Sequence, residues 1–191
     1  MFRFFLILIL LCANCNASNE YIRNYIFSWI EEDKNTCIKY LQNAIEIGEP
    51  NADAAFILGS LYVDGKLIEK DFKKADYYLT ISAQLNHPGA INSIGDGYYI
   101  GDIRQKDLKK ALKYYERAGK MGYGPAQFNA GIVLYKYGSS KKDLKKAIFW
   151  LDKASKNYDD LDEIIINHAK AYKQDAENKL HALSRNKKQH R

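Results

Sequence analysis

Apolar residues in this chain fall into short blocks with three- or four-residue spacing, and the blocks themselves recur every 36 residues. Ala54, Ala90 and Ala126 share a register with Gly59, Gly95 and Gly131, with Asp71, Asp107 and Asp143, and with Ala75, Ala111 and Ala147. From each of the first alanines runs a block of about ten residues that reads as a helix, here helix A. In the first copy Leu58, Leu61 and Tyr62 supply its apolar side chains, and Gly59 marks a point where another helix must come close. The block stops at Gly65 or Gly101, residues that tolerate the left-handed end of a helix. Helix B opens at Asp71, Asp107 or Asp143, whose carboxylates can accept from orphan backbone N–H groups, and carries Phe72, Ala75, Tyr78, Leu79 and Ser82/Ala83 along one stripe. Pro50, Pro88 and Pro125 fall between units and are read as helix ends.

Helices this short are marginal alone, so they must stack on their neighbours, and the stack is the fold. The expected organisation is all-α: an N-terminal capping helix and degenerate half repeat over 18–53, repeats over 54–89, 90–125 and 126–158, a C-terminal capping helix over 159–184 and a basic tail over 185–191. Ile22, Tyr25, Ile26, Trp29 and Ile30 share one face of the first cap, and Leu161, Ile165, Tyr172, Ala176, Leu180 and Leu183 one stripe of the last. Polar-backed ends of this kind keep a solenoid soluble, and a monomer is expected.

The units AAFILGSLYVDG with DFKKADYYL, AINSIGDGYYIG with DLKKALKYY, and AQFNAGIVLY with DLKKAIFWL resemble the Sel1-like repeat family, relatives of the tetratricopeptide repeat. The resemblance covers Ala54 to about Lys156, with DKNTCIKYLQNAIEIG from Asp33 as a degenerate helix B before it. It implies an α-solenoid that acts by binding proteins. The third unit departs in its linker, where Gly138 falls one position late and the loop is rich in lysine.

The first seventeen residues, MFRFFLILILLCANCNA, have one Arg, an apolar run and then small or polar residues, the layout of a secretory signal peptide cut before Ser18. The apolar run is too short for a permanent span, since a crossing helix needs about 20 residues. The alternative is lipid attachment at Cys12 or Cys15, whose preceding Leu11 and Asn14 fit that processing poorly. Cleavage at Ser18 leaves Cys37 alone, so an intramolecular disulfide is excluded and the protein must hold itself together by packing. A periplasmic or secreted location follows from this reading.

The chain has 29 Lys+Arg against 23 Asp+Glu, a net charge of +6 that would ordinarily suggest nucleic acid. Four of those charges are Arg185, Lys187, Lys188 and Arg191, so a basic tail follows a nearly neutral body and nucleic acid is not expected as a partner. The body is itself graded. Residues 18–63 carry three basic against seven acidic residues, whereas the loop and helix start over 136–146 carries five against one. Lys73-Lys74, Lys109-Lys110 and Lys145-Lys146 recur beside the starts of helix B, joined by Lys70, Arg104, Lys106, Lys141 and Lys142 as a basic loop edge suited to steering an acidic partner or anionic surface.

No HExxH, GxSxG, SxxK or Cys/His constellation is present, and neither a metal site nor a cofactor is expected. Of the histidines, His87 lies in an inter-repeat turn, His168 and His181 on the last helix and His190 in the tail. Gly95-Asp96-Gly97 with Gly101 mimics a phosphate loop but has no preceding strand. The acid pairs Asp159-Asp160 and Asp162-Glu163 sit near a helix start, where negative charge is favoured. Cys37 takes the small-residue slot of helix B and reads as buried. Some cysteine-rich relatives are associated with β-lactams, but their paired cysteines are missing here, so a small envelope hydrolase is the weaker alternative, as is a subunit of an envelope assembly.

The resemblance also implies which positions face a partner across the concave surface of the A helices: Phe56, Ser60 and Val63, then Asn92, Asp96 and Tyr99, then Phe128, Ile132 and Tyr135. These nine change type between repeats while the stacking positions keep theirs, as a surface shaped for one protein partner would. Asn92 and Asp96 are expected to have no packing role. The function expected is that of an exported, non-enzymatic scaffold or adaptor, a class in which the family includes immunity proteins that neutralise a toxin.

Overall fold

The computed structural model describes residues 34–46 and 51–189, and among them there are eight α-helices and no strand. They are α1 (Lys34–Glu46), α2 (Ala52–Asp64), α3 (Phe72–Gln84), α4 (Pro88–Ile100), α5 (Leu108–Lys120), α6 (Gly124–Tyr137), α7 (Lys141–Ala154) and α8 (Glu163–Gln189). The segment expected to be a signal peptide, with Cys12 and Cys15, and the N-terminal capping helix expected within 18–53 ahead of Lys34 lie outside the described residues. Helices α2, α4 and α6 are the A helices and α3, α5 and α7 the B helices, each 13 or 14 residues long. The chain forms two compact bodies, the first running to Ile94 and including Asp102–Gln105, the second made of Gly95–Gly101 and everything from Lys106.

In the first body α1 buries Cys37, Leu41 and Ile45, one residue per turn along a single face, in a core with Ala54, Ala55, Leu58, Leu61 and Tyr62 of α2 and Ala75 and Tyr78 of α3. Cys37 is buried, as its slot in the repeat predicts. The Asn51 side chain caps α2 by accepting from Ala54 N–H at 2.9 Å, and the helix ends on Gly65 at φ 70°, whose N–H returns to the Leu61 carbonyl at 3.0 Å. Buried Ser82 satisfies its hydroxyl by donating to the Ala52 carbonyl at 2.7 Å. Arg104, expected on the basic loop edge, is instead a tie within this body. Its guanidinium donates to Thr80 Oγ1 at 2.9 Å and pairs with Asp76, and so contributes little free charge to the edge.

The second body has its own core of Ala111, Tyr115, Ala130, Val133, Leu134, Ala147, Trp150, Leu151, Ala154, Leu161, Ile166 and Ala169. The terminal helix α8 completes it with Ile166 and Ala169, and Asp162 caps that helix by accepting from Ile165 N–H at 2.8 Å. Asp160 accepts from Gly124 N–H at 2.9 Å, so Asp162 serves the start of α8 as its position predicts, while Asp160 serves the start of α6 instead. Lys173 of α8 donates to Asp152 of α7 at 2.6 Å, and Lys156 reaches the other oxygen of the same carboxylate at 2.7 Å. The two ammonium groups hold the Asp152 carboxyl below its ordinary range.

Two sequence expectations are corrected. Pro88 and Pro125 begin helices rather than end them, Pro88 as the first residue of α4 and Pro125 in the first turn of α6, while Pro50 lies outside the described residues. There the missing N–H would be unbonded in any case and the fixed φ already suits a helix. Asp71 and Asp107 do cap α3 and α5, each accepting from two backbone N–H groups at 3.0 Å, but Asp143 does not cap α7. Helix α7 starts earlier, on Ser140, whose hydroxyl accepts from Asp143 N–H at 3.1 Å while Asp143 accepts from Ser140 N–H at 3.1 Å, a capping box. The third linker lacks the left-handed glycine, since Gly138 has φ −70°, and Ser140 supplies the earlier start.

Candidate functional site

The A-helix face depends on how each A helix meets its B helix. At Gly59, Gly95 and Gly131 an added Cβ would lie 2.8 Å from Leu79 Cγ, 2.7 Å from Tyr115 Cε1 and 2.6 Å from Leu151 Cγ. Each glycine is therefore a notch filled by the residue twenty positions later, and the notch fixes the roll of helix A and hence which side chains its outer face presents. The first and third repeats fill it with leucine and the second with tyrosine.

In the first body Phe56 is half-buried and stacks on the His87 ring with centroids 4.4 Å apart. His87 is fixed from both nitrogens: Nδ1 accepts from Ala90 N–H at 3.1 Å, capping α4, and Nε2 lies 3.2 Å from Asp53 Oδ1. Accepting at Nδ1 places the neutral ring's proton on Nε2, where it donates to Asp53. Val63 packs against the first core, and Ser60 is half-buried. Asn92 is 7% exposed, so it belongs to the interior of its helix and not to an open surface. The residues predicted on this body thus serve packing more than display.

In the second body Asp96 has a packing role that its sequence position did not suggest. Tyr115, 1% exposed, donates its hydroxyl to Asp96 Oδ1 at 2.8 Å, and Asn129 of α6 donates to the same oxygen at 3.3 Å. Burial, and then the neighbouring Asp96 charge, push the Tyr115 phenol far above its ordinary range, so it stays a donor. Tyr99 is half-buried, with its ring edge-on to Tyr137 at 6.3 Å, the two hydroxyls 3.5 Å apart and the Lys106 ammonium 5.9 Å from its ring centre. The contact with the Tyr137 hydroxyl raises the Tyr99 phenol, and burial adds to the effect.

The third-repeat positions meet α8. Phe128 lies 6.5 Å from the Tyr172 ring, Tyr135 lies 5.4 Å from it, and Ile132 packs against the same core. The Tyr135 hydroxyl donates to Asp175 and accepts from Lys179, whose ammonium also stands 4.0 Å over the Tyr135 ring. The Tyr135 hydroxyl, and then the Lys179 ammonium 3.2 Å from the same carboxylate, hold Asp175 below its usual range, and the Tyr135 contact leads in raising Lys179. Within this body Asp96 and Tyr99 come together with Asn129 and Tyr137, while Phe128 and Tyr135 are partly covered by the protein's own last helix. Sequence reading missed Tyr115, Asn129, Tyr137, Asp175 and Lys179. The signal for the first was present: where the notch residue changes from Leu to Tyr, the residue after the glycine changes from Ser60 or Ile132 to Asp96.

His168 and His181 are exposed on α8, and no group of three or more metal-ligating side chains occurs among the described residues. What the second body presents is a set of phenol hydroxyls and ring edges held by internal contacts.

A family model of the Sel1 repeat matches residues 52–87, 88–123 and 124–159. The chain is a Sel1-repeat protein. The matched repeats keep the 36-residue period and begin at the start of each A helix, two residues ahead of the conserved-register alanines. A Sel1 repeat protein from Oxalobacter formigenes is similar at 26% identity and a TM-score of 0.58, over 72% of this chain and 97% of that one. The protective antigen c5321 of uropathogenic Escherichia coli, which displays an SLR fold, is similar at 26% identity and a TM-score of 0.56. That match covers 62% of this chain and a quarter of the antigen. No curated protein matches. The Sel1-repeat fold is commonly a scaffold for protein interaction, and no helix among the described residues is long and apolar enough to cross a membrane.

Proposed function

We propose that this Sel1-repeat protein is exported, loses residues 1–17, and acts without catalysis by binding one protein partner through the A-helix face. The observation that carries the reading is the state of Asp96 and Tyr99. Both are half-buried, both are oriented by internal hydrogen bonds, and both leave part of a polar side chain toward solvent. Side chains ordered before binding lose less entropy on binding, which is how a small face acquires affinity. An adaptor role and a toxin-neutralising role both use such a face.

A photo-crosslinking residue placed at Tyr99 is expected to capture one protein from the native envelope fraction, identified by mass spectrometry, while the same residue at Tyr77, exposed on α3, captures none. Equal capture at both positions would remove the A-helix face from the proposal. Mass spectrometry of the mature N-terminus tests export separately, with Ser18 as the expected first residue and a lipid-bearing Cys12 or Cys15 as the result against it.

A further inference from the structure

We propose that the second body carries a separate docking edge, formed where α5 and α7 begin and α6 ends, and that it takes an acidic protein segment. Residues 106–110 and 136–146 contribute eight lysines to this edge against two aspartates. Both aspartates are committed: Asp107 accepts from the backbone of Lys109 and Lys110, and Asp143 completes the Ser140 capping box. At the opposite end of the same helices, residues 117–124 and 153–163 carry four basic and four acidic side chains. The charge is thus segregated to one end of the helices, which the net charge of the chain does not require.

The lysines divide by use. Lys110 lies over the Tyr98 ring at 5.3 Å, Lys146 reaches Glu116 at 3.7 Å, and Lys141 donates to the Leu183 carbonyl at 2.7 Å. Lys109, Lys136, Lys142 and Lys145 are exposed and have no carboxylate within ion-pair distance among the described residues. The Lys141 contact brings α8 to this edge, so Arg185, exposed on that helix, adds to the same field. Among the lysines stand Tyr137, 52% exposed with its hydroxyl beside that of Tyr99, and Ile100, 60% exposed. Aromatic and aliphatic side chains inside a charged rim are the composition of a protein interface, and point-like ammonium groups suit dispersed carboxylates. The edge adjoins the A-helix face without using Asp96, so the fate of one assignment does not fix the other.

The test uses the full chain and a fluorescein-labelled oligoglutamate peptide read by fluorescence anisotropy at low and at physiological salt. The double substitution Lys109→Glu/Lys145→Glu should weaken peptide binding about tenfold or more, since each reversal at a charged rim removes roughly half a power of ten or more. Lys120→Glu/Lys153→Glu changes net charge equally at the opposite end of the helices, more than a Debye length from the edge, and should shift affinity less than about threefold. Circular dichroism should leave both variants helical, because the reversed side chains are exposed. Equal losses in the two variants, or no peptide binding by the wild type, would overturn the proposal. Binding to phosphatidylglycerol vesicles without binding to the peptide would overturn it in favour of a lipid surface.

Discussion

The second and third repeats pack the same notch in two ways. At Gly131 the plug is Leu151, fully buried, and the next residue of the A helix is the apolar Ile132. At Gly95 the plug is Tyr115, just as buried, and the next residue is Asp96, which takes the tyrosine hydroxyl. A leucine fills the space and asks nothing further, whereas a buried phenol must be given an acceptor. Asp96 therefore varies from its counterparts Ser60 and Ile132 for a reason internal to the fold. Variation between repeats at a face position does not by itself report a partner, because the residue behind the face can demand it.

The comparison breaks most severely at the plug itself. Tyr115→Ala should cost about 4 kcal/mol in urea denaturation, since it leaves a cavity in the second core and removes the donor to Asp96. Asp96→Ala keeps the ring but strands a buried hydroxyl, and about 2 kcal/mol is expected. Tyr115→Leu copies the third repeat's plug while leaving Asp96 without its buried donor, and adding Asp96→Ile copies the whole joint. The double variant should recover much of the single-variant loss, with a coupling of about 1 to 2 kcal/mol in a double-mutant cycle. Strict additivity would show that the two residues do not act as the pair their 2.8 Å hydrogen bond implies.

How much of this was legible beforehand follows from what each level of structure depends on. The helices, the notch glycines, the left-handed ends at Gly65 and Gly101 and the burial of Cys37 are consequences of spacing and local chemistry, and the repeated columns print them. The face was legible only as a set of positions. That Asp96 serves Tyr115, and that Tyr172, Asp175 and Lys179 cover Phe128 and Tyr135, depend on contacts across 19 to 44 residues, and the burial of Asn92 likewise shows only in the folded chain. Arg104 misled in the same manner: its charge was read as free because its partners, Asp76 and Thr80, lie 28 and 24 residues away on another helix.

The two kinds of helix start sharpen the comparison at a smaller scale. Helix α7 relies on a neutral hydroxyl at Ser140, so Ser140→Ala should cost about 1 kcal/mol at neutral pH, read as a lower midpoint in urea. Helix α5 relies on a carboxylate, and its loss should appear as a change in pH dependence. The Asp107 carboxyl is held below its ordinary value chiefly by the backbone N–H of Lys110, with that of Lys109 assisting. A folded-state pKa below the unfolded one means that the stabilisation is complete above the unfolded value, near 4, and drains away as pH falls through the folded one. Asp107→Asn keeps a side-chain oxygen for the N–H groups but does not titrate. Melting curves from pH 6 down to pH 2 should show a shallower fall in Tm for this variant than for wild type, with the two curves converging at the acid end. Parallel curves would mean that the cap stabilises α5 without its charge, and the acid sensitivity would then fall to Asp71, Asp143 and Asp152, whose carboxyls are lowered by the same kinds of contact.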